Sequence, residues 1–346
     1  GLRTSASPDV GPLNDECLLA AEVAASRLLS CVCPTLDSVE RRRKVVEYIQ
    51  RLIRNNLDCE IFPYGSVPLM TYLPEGDIDF TAFRPDESIA YDAYRLIMRE
   101  EENKKAEYHI KSTQLIDAEV KLVKCIVHDF VIDISFNQLG GLSTLCFLEQ
   151  VDCLIGRNHL FKRSIILVKS WSYYESRILG SQHGLLSTYA LEVLVLYIFL
   201  LFNSSLHGPL EVLYRFLKYY SQFDWEKYCI SLKGPVFISS LPAIVVSQEE
   251  SYCNVRSEGF LDNCIEMFTT PYEGGDAKPF RVKFLNIVDP LNKNNNLGRS
   301  VHRGSFYRIR SALRYGASRL SHVLSKPGEG VDKEMLKFFK NTLLRH

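Results

Sequence analysis

The hydrophobic period of this chain changes twice along its length, and any fold must satisfy that layout. Over 37–56, DSVERRRKVVEYIQRLIRNN, the apolar residues Val45, Val46, Ile49, Leu52 and Ile53 recur at i, i+1, i+4, i+7 and i+8, the stripe of an amphipathic helix. From 59 the spacing becomes that of strands: CEIFPY, DIDFTAF, YHIKSTQLI, EVKLVKCIV and FVIDISF. Between them SVPLMTYL reads as a short helix or turn, DESIAYDAYRLIMREEE as a helix, and His128-Asp129 as a tight turn. From 159 the helical period returns in HLFKRSIILVKSWSYYES, GLLSTYALEVLVLYIFLLFN and PLEVLYRFLKYY, followed by a polar loop region over 230–290 and a last helix near 304–322. Helices, then a mixed sheet, then helices predict an α+β chain of two lobes. The N-terminal helices, 11–56, have little partner surface of their own, so they are expected to pack with the later helices. The sheet unit, 57–155, then becomes an insertion into a helical domain, 156–346, with the ligand site in the cleft between lobes.

Composition narrows the class. With 346 residues, 46% hydrophobic and 24% charged, the chain can bury proper cores and is not a disordered polymer. Lys plus Arg equal Asp plus Glu at 41 each, so nucleic acid must be held by local patches rather than a global field. Ten cysteines without a C-x-x-C pair read as free thiols of a reducing compartment, cytoplasm or nucleus. The N-terminus lacks an apolar signal-peptide core, and the apolar run Val193–Phe202 is too short to cross a bilayer, so no membrane partner is expected. On the first helix Asp37 or Ser38 reads as N-cap. Its polar face carries Arg41, Arg42, Arg43, Lys44, Arg51 and Arg54, read either as a solvated surface or as a contact with a phosphate backbone.

The chemistry concentrates in PYGSVPLMTYLPEGDIDF, 63–80. Asp77 and Asp79 flank Ile78 on a strand, so both carboxylates point to one face and repel. Phe130, Ile132, Ile134 and Phe136 make one face of a later strand and Val131, Asp133 and Ser135 the other, so a third carboxylate converges if the strands are neighbours. Three hard oxygen ligands without His or Cys suit Mg²⁺ or Mn²⁺. Two such ions would support in-line nucleotidyl transfer. Gly65-Ser66, eleven residues upstream, would then let backbone N–H groups approach the β- and γ-phosphates of a nucleotide.

In combination, G-S, D-I-D and V-I-D-I-S-F-N resemble the catalytic domain of the DNA polymerase β-like nucleotidyltransferases, in particular the non-canonical poly(A) polymerases and terminal uridylyltransferases. ILVKSWSYYESRILGSQHGLLSTYALEVLVLYIF is similar to that family's second, PAP/OAS1-type domain, and VDPLNKNNNLGRSV, 288–301, looks like its nucleotide-recognition loop. FNQLGGLSTLCFLEQ and FKRSIILVKSW resemble a plant branch most. The resemblance covers about residues 40 to 320 and implies a two-lobed nucleotidyltransferase. Asp77 and Asp79 would hold both metals and Asp133 the one that activates an RNA 3′-hydroxyl. Lys169 would meet the triphosphate, with Thr188 on phosphate and Tyr189 stacked on the base. Two departures stand out: the second Lys, four residues after Lys169, is Tyr173, and the sugar contact falls to Asn137 or Gln138.

For the base, the position six residues after Asp289 is Asn295, where uridylyl members resemble one another in carrying His. An amide offers both donor and acceptor to adenine, so ATP is expected over UTP, although Asn294 to Asn296 leave the register open by one. Arg299, Arg308 and Arg310, among the arginines and aromatics of 298–320, are expected to hold RNA. The expected function is template-independent addition of a nucleotide to an RNA 3′ end with Mg²⁺ or Mn²⁺, alongside RNA-processing proteins. The alternative is a catalytically weak or inactive scaffold.

Overall fold

A short break at 33–35 separates the first two helices, and they part company there. α1 (Asp15–Val32) buries Cys17, Ala21, Ala25, Leu28, Leu29 and Val32 along one stripe. α2 (Leu36–Leu57) is opened by a capping box: the Thr35 hydroxyl accepts from Ser38 N at 3.1 Å, and Thr35 N donates to the Ser38 hydroxyl at 2.8 Å. The N-cap is therefore Thr35, ahead of the expected Asp37 or Ser38.

The computed structural model describes residues 15–240, 258–269, 279–325 and 330–346. The chain divides into two units, 33–153 and the segments 1–32 with 154–346. α1 thus joins the later helices, while α2 belongs with the sheet, which corrects the grouping of 11–56 as one piece. The cause is the α2 stripe: Val45, Tyr48, Ile49 and Ile53 share one core with sheet residues.

In the sheet unit, β1 (Glu60–Tyr64), α3 (Ser66–Leu69), β2 (Ile78–Phe83), α4 (Ile89–Glu102), β3 (Ile110–Ile116), β4 (Leu122–Val127) and β5 (Phe130–Phe136) follow in chain order. The strands lie in the order β1-β2-β5-β4-β3. The β2–β5 pair is parallel and the other neighbours are antiparallel, giving a mixed sheet. His128 and Asp129, both at positive φ (48° and 69°), make the two-residue turn between β4 and β5. Ile78, Phe80, Ile132 and Ile134 pack under α2 and α4, so alternation sends Asp79, Asp133 and Ser135 to the opposite face.

α5 (Gly140–Ile155), which the pattern did not single out, leads to the helical unit. There α6 (Leu160–Ser170), α7 (Thr188–Phe202), α8 (Pro209–Gln222) and α10 (Arg303–Ser325), with α9 (Glu258–Phe268) between, form most of the frame. Two helices beyond the expected last one, α11 (Val331–Phe338) and α12 (Lys340–Arg345), close it. The helix of 160–175 changes to a π-helical turn over Trp171–Glu175. The Glu22 carboxylate of α1 accepts from Leu210 N at 3.2 Å and Glu211 N at 2.8 Å, capping α8 and fixing α1 in this unit. The polar region of 230–290 also holds a hairpin, β6 (Tyr228–Ser231) with β7 (Gly234–Phe237), and a second, β8 (Val288–Asp289) with β9 (Asn292–Asn296), closes its end; 241–257 and 270–278 lie outside the described residues.

Among the described residues two stretches are long and apolar enough to cross a membrane by length and composition, Asp15–Leu57 and Thr188–Ser205. The first is the broken pair α1 and α2. In the second, every residue from Ala190 to Leu200 is buried within the protein. The nine cysteines among the described residues are free thiols, and Cys253 lies outside them.

Candidate active site

Parallel pairing of β2 with β5 sets Asp79 directly beside Asp133 on one sheet face. Asp77 stands just ahead of β2, and its carboxyl lies within hydrogen-bonding reach of Asp133. Burial first, and then the neighbouring Asp133, lift Asp77 to about 6, with Lys124 pulling the other way. Lys124, opposite Asp133 in the β4–β5 register, brings its Nζ to 3.3 Å from Asp133 Oδ1. That oxygen is buried and receives no well-aligned hydrogen bond, so the ion pair is its compensation.

Gly65 supports the same face from β1. Its φ of 77° and ψ of −148° lie in a region reserved for glycine, and a Cβ there would sit 2.9 Å from Asp79 Oδ2. Tyr64 pairs with Asp79 in the β1–β2 register, and its hydroxyl is pushed up by burial and then by Asp79. Ser66 opens α3, where Gly65 O accepts from Leu69 N at 3.2 Å. Hence Gly65, Ser66, Asp77, Asp79 and Asp133 are gathered on adjoining elements of one unit.

A hard divalent cation matches this donor chemistry: three carboxylates, no nitrogen or sulfur, and a buried oxygen short of donors. Yet among the described residues no group of three or more His, Cys, Asp or Glu side chains is arranged to hold a metal ion as it stands. Lys124, a cation that the strand pattern did not single out, meets Asp133.

The two sugar-contact candidates serve the end of β5. Asn137, at φ 54°, accepts from Arg84 N through Oδ1 at 3.0 Å, and Gln138 donates Nε2 to Phe136 O at 3.3 Å.

In the helical unit, Lys169 is buried, 4% exposed, and interacts with Glu192 of α7. Burial lifts Glu192 to about 7 despite that lysine. The sequence shows Glu192 as a charge inside an otherwise apolar helix but does not name its partner. Thr188 is exposed at the first turn of α7, whose N-cap Ser187 accepts from Ala190 N at 3.1 Å.

The loop of 288–301 resolves the three asparagines. Asn294 is exposed. Asn296 is buried, accepting from Ile287 N and Gly298 N and donating to Arg281 O and Asn286 Oδ1, all within 3.0 Å. Asn295 lies between these extremes. Its Nδ2 donates to Asp289 Oδ2 at 3.0 Å and its Oδ1 accepts from Arg299 at 2.9 Å. Asp289 also accepts from the Tyr189 hydroxyl at 2.9 Å and from Leu291 N, and burial raises its carboxyl in spite of these bonds. Tyr189, Asp289, Asn295 and Arg299 therefore form one chain of hydrogen bonds.

Arg308 donates to Arg177 O at 2.8 Å, and Arg310 lies over the Phe306 and Tyr307 rings with Glu226 at 4.0 Å. On α2, Arg43 pairs with Glu40 and Glu47, Arg41 with Asp37, Arg51 with Glu107 and Arg54 with Glu60, which favours the solvated-surface reading of those charges. Arg42, expected on the same face, is buried instead.

The sequence profile of the PAP/OAS1 substrate-binding domain matches residues 155–343. The chain belongs to that family. Residues 24–150 match the central palm domain of the mitochondrial-like poly(A) RNA polymerases. The poly(A) RNA polymerase cid14 of Schizosaccharomyces pombe is 23% identical over 310 residues, which make up 88% of this chain and 41% of that relative. The chain thus spans less than half the length of that curated relative. Among solved structures, a cytoplasmic RNA terminal U-transferase is 15% identical at a TM-score of 0.66, covering 93% of this chain and 98% of that one. A histidine-to-asparagine variant of the Cid1 poly(U) polymerase bound to MgATP is 16% identical at 0.64, covering 88% and 94%. At such identities the likeness establishes the fold, that of a two-domain nucleotidyltransferase.

Proposed function

We propose that this PAP/OAS1 family protein is a template-independent RNA 3′-nucleotidyltransferase that takes ATP in preference to UTP. The observation that carries the reading is the carboxylate cluster, Asp79 beside Asp133 in parallel register with Asp77 against Asp133 and lifted to about 6. A fold keeps such repulsion where a cation is to be held. The residues that would hold Mg²⁺ or Mn²⁺ are Asp77, Asp79 and Asp133. Such ions, when bound, lower the pKa of the attacking hydroxyl and neutralise the leaving pyrophosphate.

In the step itself, the RNA 3′-hydroxyl gives up its proton to solvent as its oxygen forms a bond to the α-phosphorus of the nucleotide, and the bond from that phosphorus to the bridging oxygen breaks to release pyrophosphate. Gly65 permits close approach of backbone to phosphate, with Ser66 beside it. Lys169 and Thr188 are assigned to the triphosphate, Asn137 or Gln138 to the ribose, and Tyr189 to the base. Arg299, Arg308 and Arg310 are assigned to RNA.

The adenine preference rests on Asn295. With one N–H given to Asp289 and one lone pair to Arg299, the amide keeps a second N–H and a second lone pair, the donor–acceptor pair that adenine's edge requires. The Cid1 variant with MgATP, which carries asparagine for histidine, supports the same chemistry.

A second reading, a weak or inactive scaffold, draws on Lys124 paired to Asp133 and Lys169 buried against Glu192. Extension of a 5′-labelled short RNA with each of the four NTPs, beside an Asp77→Ala, Asp79→Ala double variant, decides between them. Extension with ATP that the variant loses is the expected result. No extension with any NTP, in Mg²⁺ or Mn²⁺, from folded protein would give the scaffold reading the field.

A further inference from the structure

Arg42 departs most sharply from its sequence pattern. It lies on a helix face otherwise made of solvated charges, yet it is 1% exposed. A buried guanidinium needs partners that offset its lost hydration, and those of Arg42 are specific. Nη2 donates to Pro74 O at 2.9 Å and Nη1 to Ser38 O at 3.3 Å. Its Cζ stands 4.0 Å from the centre of the Tyr72 ring and 4.8 Å from that of Phe130. The Tyr72 hydroxyl in turn meets the Ser38 hydroxyl at 2.8 Å, so α2 grips this segment twice.

The position of those partners gives the clamp its meaning. Tyr72 and Pro74 belong to the loop 70–77, which turns at Leu73–Gly76 through a 2.8 Å bond and delivers Asp77. Phe130 begins β5, three residues before Asp133. One side chain therefore holds both segments whose carboxyls face each other. Thr71, Tyr72 and Leu73 are buried while Pro74, Glu75 and Gly76 are not, so the Arg42 bond to Pro74 O reaches the part of the loop that leaves the interior just before Asp77.

We infer that Arg42 is a positioning residue for the carboxylate cluster, fixing the loop of Asp77 against the strand of Asp133 so that the two carboxyls stay side by side, where they would share a divalent cation. This rests on the nucleotidyltransferase reading above. Arg42 touches no reacting atom in it. Its loss should loosen cation binding and slow transfer while leaving nucleotide selection, which belongs to Asn295 and its neighbours, unchanged. Outer-shell groups that orient metal ligands command about 10- to 100-fold in affinity or rate, and that is the range expected.

The test uses the full chain and two variants, Arg42→Met, which keeps the bulk, and Arg42→Lys, which keeps the charge but not the fork that reaches two carbonyls. Mn²⁺ binding is read by titration calorimetry without nucleotide, beside thermal unfolding, kcat, KM for ATP and the ATP/UTP ratio. The expected result is Mn²⁺ affinity and kcat reduced about 10-fold or more in Arg42→Met and less in Arg42→Lys, with KM and the ratio within about twofold of the parent. Should Arg42→Met fail to fold, Arg42→Lys carries the test, with a reduced Mn²⁺ affinity still expected. Parent-like Mn²⁺ affinity and kcat in a folded variant, with only a lowered Tm, would overturn the inference and return Arg42 to core packing. A parent protein that neither binds Mn²⁺ nor extends RNA would instead remove the function reading beneath it.

Discussion

Gly65→Ala puts the backbone geometry of the site to a quantitative test. Gly65 sits at φ 77°, ψ −148°, where an alanine is held only at a strain of about 1–3 kcal/mol. The new methyl would also lie 2.9 Å from Asp79 Oδ2, closer than a carbon tolerates, so either the turn or the carboxylate must shift. For a unit that runs from 33 to 153, each kcal/mol moves Tm by roughly 3–6 °C, so a fall of about 3–18 °C is expected. Against a typical stability of about 5–15 kcal/mol, that strain leaves the variant predominantly folded at 25 °C. Any large activity loss there must therefore come from the displaced Asp79 and the lost phosphate approach. Thermal unfolding followed by RNA extension at 25 °C separates the two effects, and at least a 100-fold drop in kcat/KM, roughly 3 kcal/mol, is expected. A variant with parent-like Tm would refute the strain argument. Reduced Tm with full activity would refute the role of this turn in holding Asp79 and phosphate.

Asn295→His should shift the ATP/UTP ratio toward UTP, since an imidazole can still donate to Asp289 but loses the paired donor and acceptor; an unchanged ratio in single-nucleotide extension would show that another group reads the base. Replacing Arg308 and Arg310 together should weaken RNA binding and cut the salt slope by roughly two, and an unchanged slope would confine both to their Arg177 and Glu226 contacts. Glu192 gives a pH signature in stability. Its carboxyl is raised from 4.5 to about 7 by burial, so the unfolded chain holds fewer protons than the folded one between those values and stability falls as pH rises through that window. The loss is on the order of 3 kcal/mol at most. Glu192→Gln should flatten that slope in unfolding measured from pH 4.5 to 8, and parallel curves for parent and variant would count against it.

Much of the sheet unit was legible because its chemistry is periodic. Alternation alone put Ile132 and Ile134 on one face and Asp133 on the other, and the paired helices above the sheet enforce that division. The order of strands was not legible, since parallel pairing of β2 with β5 joins segments far apart in sequence. The assignment of α2 failed for a related reason. Its stripe of Val45, Ile49 and Ile53 demands some apolar partner, but a stripe does not say which one, and the sheet offered more surface than the later helices. Three charges have partners that the sequence did not reveal. Lys124 acts through a cross-strand register, Glu192 sits inside an apolar helix, and Arg42 is surrounded in sequence by arginines that do face water. Each is defined by a tertiary neighbour. The asparagine loop is the converse case: counting from Asp289 pointed to Asn295, while the buried bonds of Asn296 explain why an adjacent asparagine serves structure.

Zero net charge, finally, conceals two opposite arrangements. On α2 the cations are answered locally: Arg43 by Glu40 and Glu47, Arg41 by Asp37, Arg51 by Glu107, Arg54 by Glu60, which leaves that face little field to offer a polyanion. α10 carries five arginines, at 303, 308, 310, 314 and 319, and no aspartate or glutamate of its own. Its Tyr307 and Tyr315 are 45% and 67% exposed, so aromatic faces accompany the charge. Composition sums these helices with the rest of the chain to neutrality, but a phosphate chain responds to charge within about 10 Å, the screening length at 0.1 M salt. A global count therefore says nothing against RNA binding by this chain, and α10, although Glu226 answers Arg310 across from it, is the helix on which the proposed RNA assignment rests.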